Sequence, residues 1–175
     1  NWRNISPKTY AKFEAFEHTG KDYTSRINFP IRDISGKIVA FQGRHTGGDT
    51  PKYLFTPPGA SLPLFPQVSP RQGDIILVEG IFDMLNLHDK GIQNAVCCFG
   101  TNNVNEDKLA ILGMQGVSRI TIFFDGDEAG QKAAINVKVM SEKIGFRVRN
   151  IELKDLDPGA LTETQIRKLE SKLYA

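Results

Sequence analysis

Apolar residues in the second half of this chain come in short unbroken runs, each ending abruptly at acid or glycine and each followed by a helical pattern. The run from Ile75 to Val78 stops at Glu79-Gly80, and the run from Ile120 to Phe124 stops at Asp125-Gly126-Asp127. Continuous rather than alternating apolarity marks a strand buried on both faces, which is the habit of parallel sheets. The pattern predicts strands at 74–79, 94–99, 119–125 and 146–153, and helices at 81–90, 105–113, 128–144 and 162–173. Strand and helix alternating at this spacing imply an open parallel sheet flanked by helices, an α/β unit. The first half reads differently. Ser6-Pro7 supplies a helix cap and a first-turn proline, and Tyr10, Phe13 and Phe16 then recur every third residue until Thr19-Gly20. Two strand patterns, 26–31 and 37–44, flank a turn of the Asp33 to Gly36 type and predict an antiparallel hairpin. A third short strand is expected near 52–55. Between them, Pro57, Pro58, Gly59, Pro63, Pro66, Pro70 and Gly73 crowd a stretch unsuited to helix or central strand. The expected organisation is a small α+β subdomain over 1–71 and the α/β domain over 72–175.

The composition narrows the class. A chain of 175 residues, 40% apolar and 24% charged, reads as soluble and globular. No apolar run approaches the ~20 residues of a membrane span, so no membrane role is expected. The opening Asn1-Trp2-Arg3 has neither an initiator Met nor a signal pattern, and the chain reads as an excised or processed piece of a cytoplasmic protein. Cys97 and Cys98 are adjacent inside an apolar strand, where neighbouring side chains face opposite ways, so they read as buried small apolar residues. His18, His45 and His88 have no partner at triad or metal spacing. Net charge is only +2 but uneven. Residues 1–71 carry ten Lys/Arg against five Asp/Glu, and residues 72–175 carry twelve against fifteen. A basic front beside an acidic rear suits a polyanion-binding surface next to a cation site, and ordinary surface variation explains it equally well.

The acids carry the chemistry. In open α/β sheets the ligand lies beyond the C-terminal ends of the strands, and that is where Glu79, Asp125 and Asp127 are delivered. Carboxylates meeting there repel unless a cation sits among them; oxygen-only ligands favour Mg²⁺ or Mn²⁺, whose usual work is phosphoryl chemistry. Each acid has a plainer explanation. Glu79 can be a solvated strand exit, with Gly80 for a sharp turn or a close ligand. Asp83 can orient a metal-bound water or complement the N-terminus of its helix. Asp127 can cap the helix that follows, although one cap needs one acceptor and this turn supplies three acids. A last cluster, Asp155 and Asp157-Pro158-Gly159, reaches the same edge and is also a common turn. In the front half, Arg44 and Lys52 can hold phosphates, and Tyr53 can stack on a base or pack beneath them.

Taken together, these residues resemble a Toprim domain: Val78-Glu79-Gly80 at the first strand and Asp125-Gly126-Asp127 at the third. The segments from Phe29 to Asp33, Gly36 to Arg44 and Asp49 to Leu54, with Phe99-Gly100-Thr101, are similar to the core of DnaG-type primases. The resemblance covers about residues 24–159, and the compact Pro-rich junction would suit a phage-encoded relative. It implies Mg²⁺- or Mn²⁺-dependent synthesis of short RNA primers from NTPs on a single-stranded DNA template during replication. By position it makes Glu79, Asp125 and Asp127 catalytic metal ligands with Asp83 beside them, and it brings in Asp157. It assigns Arg44, Lys52 and Tyr53, with Gly80, Gly100 and Thr101, to nucleotide or template binding. The family's last motif reads Asp-Pro-Asp; here Gly159 stands in place of the second acid, and Asp155 is the candidate substitute. Zinc-ribbon and helicase-binding regions, through which a replicative helicase would be met, have no counterpart in this sequence. Two other readings use the same residues: a Toprim-type metal-dependent nuclease, and a non-catalytic nucleic-acid-binding replisome module.

Overall fold

The structure, a computed structural model, describes residues 2–48, 50–68, 72–152 and 157–174. They form two compact units, 1–63 and 64–175. The first contains helix α1 (Pro7–Lys12) and an antiparallel sheet of β1 (Arg26–Arg32), β2 (Ile38–His45) and β3 (Tyr53–Thr56), in the order β1-β2-β3. Ser6 caps α1 as its sequence suggests, its hydroxyl accepting from Thr9 N. The helix is shorter than the apolar spacing predicts. It ends at Lys12, and Glu14 turns into the left-handed region at φ 55°. Phe16 therefore leaves the helix and pairs with the β1 edge, its N–H donating to Asn28 O at 2.9 Å while Asn28 N–H donates back at 3.0 Å. Its ring meets Phe41 edge-on at 5.8 Å. The three-residue spacing was real, but the third aromatic covers a sheet and not a helix face.

The hairpin turn is built by Asp33, whose Oδ1 accepts from Ser35 N, Ser35 Oγ and Lys37 N, while Gly36 takes φ 82°. Ile5, Phe13, Phe29, Ile31 and Ala40 form the apolar interior. Arg26 is spent on architecture: buried to 7% exposure, it donates to Asp22 O at 2.9 Å and Pro51 O at 2.8 Å, fixing the approach to β3.

The second unit alternates as the sequence predicts: β4 (Asp74–Val78), α2 (Ile81–Asp89), β5 (Ala95–Cys97), α3 (Glu106–Met114), β6 (Arg119–Ile122), α4 (Glu128–Lys143), β7 (Arg147–Asn150) and α5 (Glu163–Tyr174). All four strands are parallel, in the order β5-β4-β6-β7. Every residue of β4 is buried, which is why its sequence is unbroken Ile, Leu and Val after Asp74. One layer of the core packs Ile75, Leu77, Val96, Ile120 and Ile122 against Leu109, Leu112, Ala134 and Val137 of α3 and α4. The β5 edge is covered by a bridge to Phe65, whose N–H donates to Cys97 O at 3.0 Å. Both cysteines are buried free thiols. The consequence for function is directional: parallel strands deliver all their C-terminal ends to one rim.

Candidate metal centre and nucleic-acid surface

Two strand exits and two helix starts make the rim of the second unit. β4 ends at Val78, and Glu79 follows half-buried. Gly80 then opens α2, and Asp83, in the first turn, accepts from Gly80 N at 2.8 Å through Oδ2. β6 ends at Ile122; the buried Phe123 and Phe124 carry the chain to Asp125, and Asp127 caps α4, accepting from Gly130 N at 2.7 Å. A one-turn 3-10 helix, Pro158–Ala160, brings Asp157 to the same rim.

The tightest group among the described residues is Asp83, Asp125 and Asp157, which offer carboxylate oxygens all within 4.8 Å of one another. Glu79 adjoins it, its Oε1 accepting from Asp125 N at 3.2 Å. Charge crowding shows in the proton affinities. Burial pushes the Asp83 carboxyl well above its ordinary value, and the neighbouring Asp157 and Asp125 push it further. Burial also raises Glu79, helped by Asp125, Asp127 and Asp157. Such a pocket holds extra protons or a cation. The sequence-predicted Glu79, Asp83, Asp125 and Asp157 thus lie together at the rim, and Asp83, expected beside the ligands, stands within the tightest group. Asp127 spends one oxygen on its helix cap, so the plain explanation for it holds in the structure alongside its electrostatic effect on Glu79. Asp155 lies outside the described residues.

Glycine makes the crowding possible. A Cβ at Gly130 would stand 2.4 Å from Asp125 O and 2.9 Å from Glu79 Oε1. At Gly159 it would stand 2.6 Å from Asp83 Oδ1. Three polar residues that the sequence did not single out hold the frame. Gln131 Nε2 donates to Asp125 O at 3.0 Å, and Asn150 Nδ2 donates to Gln131 Oε1 at 3.0 Å. Asn86 grips the Asp157 segment. Asn86 had a readable signal: with Asp83 it is a polar residue at helical spacing inside a largely apolar, buried helix. Gln131 and Asn150 had none. Gly100 and Thr101 reach the same rim, since Gly100 N–H donates to Glu79 O at 3.0 Å with φ 99°, and Thr101 begins the next 3-10 turn.

The basic candidates lie in the first unit. Arg44 and Tyr53 are register partners across β2 and β3, and the guanidinium lies 4.8 Å from the Tyr53 ring centre and 5.9 Å from that of Trp2. Lys52 Nζ is 5.8 Å from the same tyrosine ring. Tyr53 therefore packs beneath the two cations. Arg44 Nε and Nη1 are buried and make no hydrogen bond among the described residues, an uncommon state for a guanidinium.

Residues 76–161 match a family described as Toprim-like, and residues 3–61 match one described as the DNA primase catalytic core, N-terminal domain. The DNA primase of Pseudomonas aeruginosa is 36% identical over 166 aligned residues, covering 84% of this chain and 24% of the relative. The zinc-binding and RNA polymerase domains of Aquifex aeolicus primase superpose with a TM-score of 0.83 at 24% identity, over 97% of this chain and 53% of that one. A DnaG primase catalytic domain bound to single-stranded DNA gives a TM-score of 0.71 at 23% identity, over 97% and 66% of the two chains. At those identities the superpositions establish the fold. The chain spans about a quarter of the length of the bacterial primase it matches in sequence.

Proposed function

Because the chain belongs to the DnaG-type primases, carrying their N-terminal catalytic-core domain and their Toprim-like domain, we propose that it is the catalytic core of an enzyme that makes short RNA primers. Its template is single-stranded DNA and its substrates are NTPs, joined with Mg²⁺ or Mn²⁺ bound at the acidic rim. The observation that carries this reading is the convergence of Asp83, Asp125 and Asp157 from three separated segments, with Glu79 beside them. The donor set is oxygen only and negatively charged, which fits a hard divalent cation, and the raised proton affinity of Asp83 is what an unneutralised pocket of this kind produces. Asp83, Asp125 and Asp157 would hold the ion, with Glu79 completing the set or serving as proton acceptor. A bound divalent ion supplies positive charge that neutralises a triphosphate and favours ionisation of an attacking hydroxyl.

The chain's own residues do the rest. Glu79, whose proton affinity burial raises and which lies beside the three aspartates, would be the acid to take up the proton released from a primer 3′-hydroxyl. Its Oε1 is held by Asp125 N, which fixes the carboxylate against the turn. Gly80 and Gly100 leave the rim slim enough for a phosphate to approach backbone, with the Thr101 hydroxyl beside them as a donor. Arg44 and Lys52 are cations for template or triphosphate phosphates, and the Tyr53 ring stiffens both. A replicative helicase partner and a cytoplasmic setting belong to the same proposal, by way of the longer relatives. Incubating the chain with random single-stranded DNA, ribonucleotides and Mg²⁺ or Mn²⁺ tests it. De novo oligoribonucleotides support the reading. Template cleavage without nucleotides would favour a nuclease, and template binding with no product under either metal would favour a docking module.

A further inference from the structure

Helix α2 is buried from Ile81 to His88, and two of its polar side chains, Asp83 and Asn86, face the segment that carries Asp157. Asn86 is 1% exposed. Its Nδ2 donates to Pro158 O at 2.8 Å and Leu161 O at 3.0 Å, carbonyls at the first residue and just past the end of the 3-10 turn, while its Oδ1 accepts from Lys90 Nζ. Both amide protons and the carbonyl are therefore engaged, which fixes which way the amide points. The turn is also closed from within, since Asp157 Oδ1 accepts from Gly159 N at 2.6 Å. Gly159 lets this closed turn lie directly against Asp83: a Cβ there would meet Asp83 Oδ1 at 2.6 Å and Asp157 Oδ1 at 3.0 Å.

We propose that Asn86 is a positioning residue for Asp157, clamping the Asp157 turn onto α2 at the depth that Gly159 permits, so that one loop acid and Asp83 together form half of the cation site. The proposal rests on the metal-binding reading of the rim. Asn86 touches no substrate. It acts by setting the separation of the Asp83 and Asp157 carboxylates, through a hydrogen bond between residues 72 apart along the chain. The residues that hold metal ligands in place matter nearly as much as the ligands: their loss commonly weakens metal binding by about 10- to 100-fold.

The test is Mn²⁺ binding, read from the free-ion electron paramagnetic resonance signal, on the 175-residue chain. Wild type, Asn86→Leu, Asp157→Asn and the double variant are titrated, with folding checked by circular dichroism. Asn86→Leu keeps the branched heavy-atom shape of the side chain and removes the clamp; it is expected to weaken Mn²⁺ binding about 10-fold or more. In the Asp157→Asn background the same change should alter affinity less than about 2-fold, because the residue it positions is gone. Should Asn86→Leu fail to fold, Asn86→Ser, which lets water bridge the two carbonyls, carries the same cycle. Equal losses in both backgrounds, or no loss in either while Asp157→Asn alone weakens binding, would overturn the positioning role. A wild-type chain that takes up no Mn²⁺, or an Asp157→Asn variant that binds as well as wild type, would overturn the metal reading as well.

Discussion

Alanine at position 130 should damage the rim through a contact, and the same change at position 113 should help. Both glycines are helical, so both substitutions remove about 0.5–1 kcal/mol of glycine's entropic disadvantage. At Gly113 the new methyl would rest 3.6 Å from Phe146 Cζ, an ordinary contact, and Gly113→Ala should stabilise the chain by roughly that amount. At Gly130 the methyl would lie 2.4 Å from the backbone oxygen of Asp125 and 2.9 Å from Glu79 Oε1. Backbone cannot yield as a side chain tip can, so the start of α4 or the Asp125 turn must move by the better part of an ångström. Overpacking of this kind costs about 1–3 kcal/mol, more than the helical gain, so the net effect is a loss of about 0–2.5 kcal/mol. The larger consequence is geometric. A displacement near 1 Å of the groups that align a reaction costs on the order of 10²-fold in rate. Urea denaturation of the two variants, beside dinucleotide synthesis, measures both terms. A Gly130→Ala chain that is more stable than wild type and fully active would refute the claim that close packing at this glycine sets the acids.

Three further outcomes are expected. Glu79 and Asp83 are held above the ordinary carboxylate values of 4.5 and 3.8, so the folded chain keeps protons that the unfolded chain has released. Their contribution is fully present below those values and is lost as pH rises through the folded ones; urea titrations in EDTA should show stability falling across that window, and saturating Mg²⁺ should flatten the slope. A slope of opposite sign that Mg²⁺ leaves unchanged would speak against a crowded, cation-ready pocket. Arg44→Ala with Lys52→Ala should weaken binding to single-stranded DNA whatever its sequence, and should make the logarithmic salt dependence shallower by about 0.7 for each phosphate contact removed; unchanged filter-binding isotherms would remove both residues from the nucleic-acid surface. Cys98, buried so that its thiol is pushed up to about 12, should resist iodoacetamide at neutral pH until denaturant is added. Rapid alkylation of the native chain would contradict that burial.

The parallel sheet was legible because its strands are buried on both faces and therefore unbroken in apolarity; β4 is the clearest case. Helix α4 was legible from the acidic cap at Asp127 followed by a long amphipathic run. Helix α1 was misjudged in length, because Phe16 keeps helical spacing while its backbone pairs with Asn28 in the sheet. Periodicity reports which side chains are apolar and not which surface they cover. The acids of the rim were legible as a set, since each follows a strand or opens a helix at one sheet edge. The close approach of Asp83 to Asp125 and Asp157 was not. Asp83 joins Asp125 and Asp157 because Gly159, far along the chain, leaves room for its carboxylate, and no local pattern encodes that fit. The polar frame of Asn86, Gln131 and Asn150 was hidden for the same reason: its hydrogen bonds reach residues distant in sequence.

The account stands on a divalent cation held by acids from three segments. Anomalous diffraction from crystals of this chain soaked in MnCl₂ tests that claim most directly. The predicted result is a manganese peak bounded by Asp83, Asp125 and Asp157, with Glu79 at its margin, that vanishes in Asp125→Asn. An ordered map with no peak among those carboxylates, or with manganese bound only elsewhere on the surface, would contradict it.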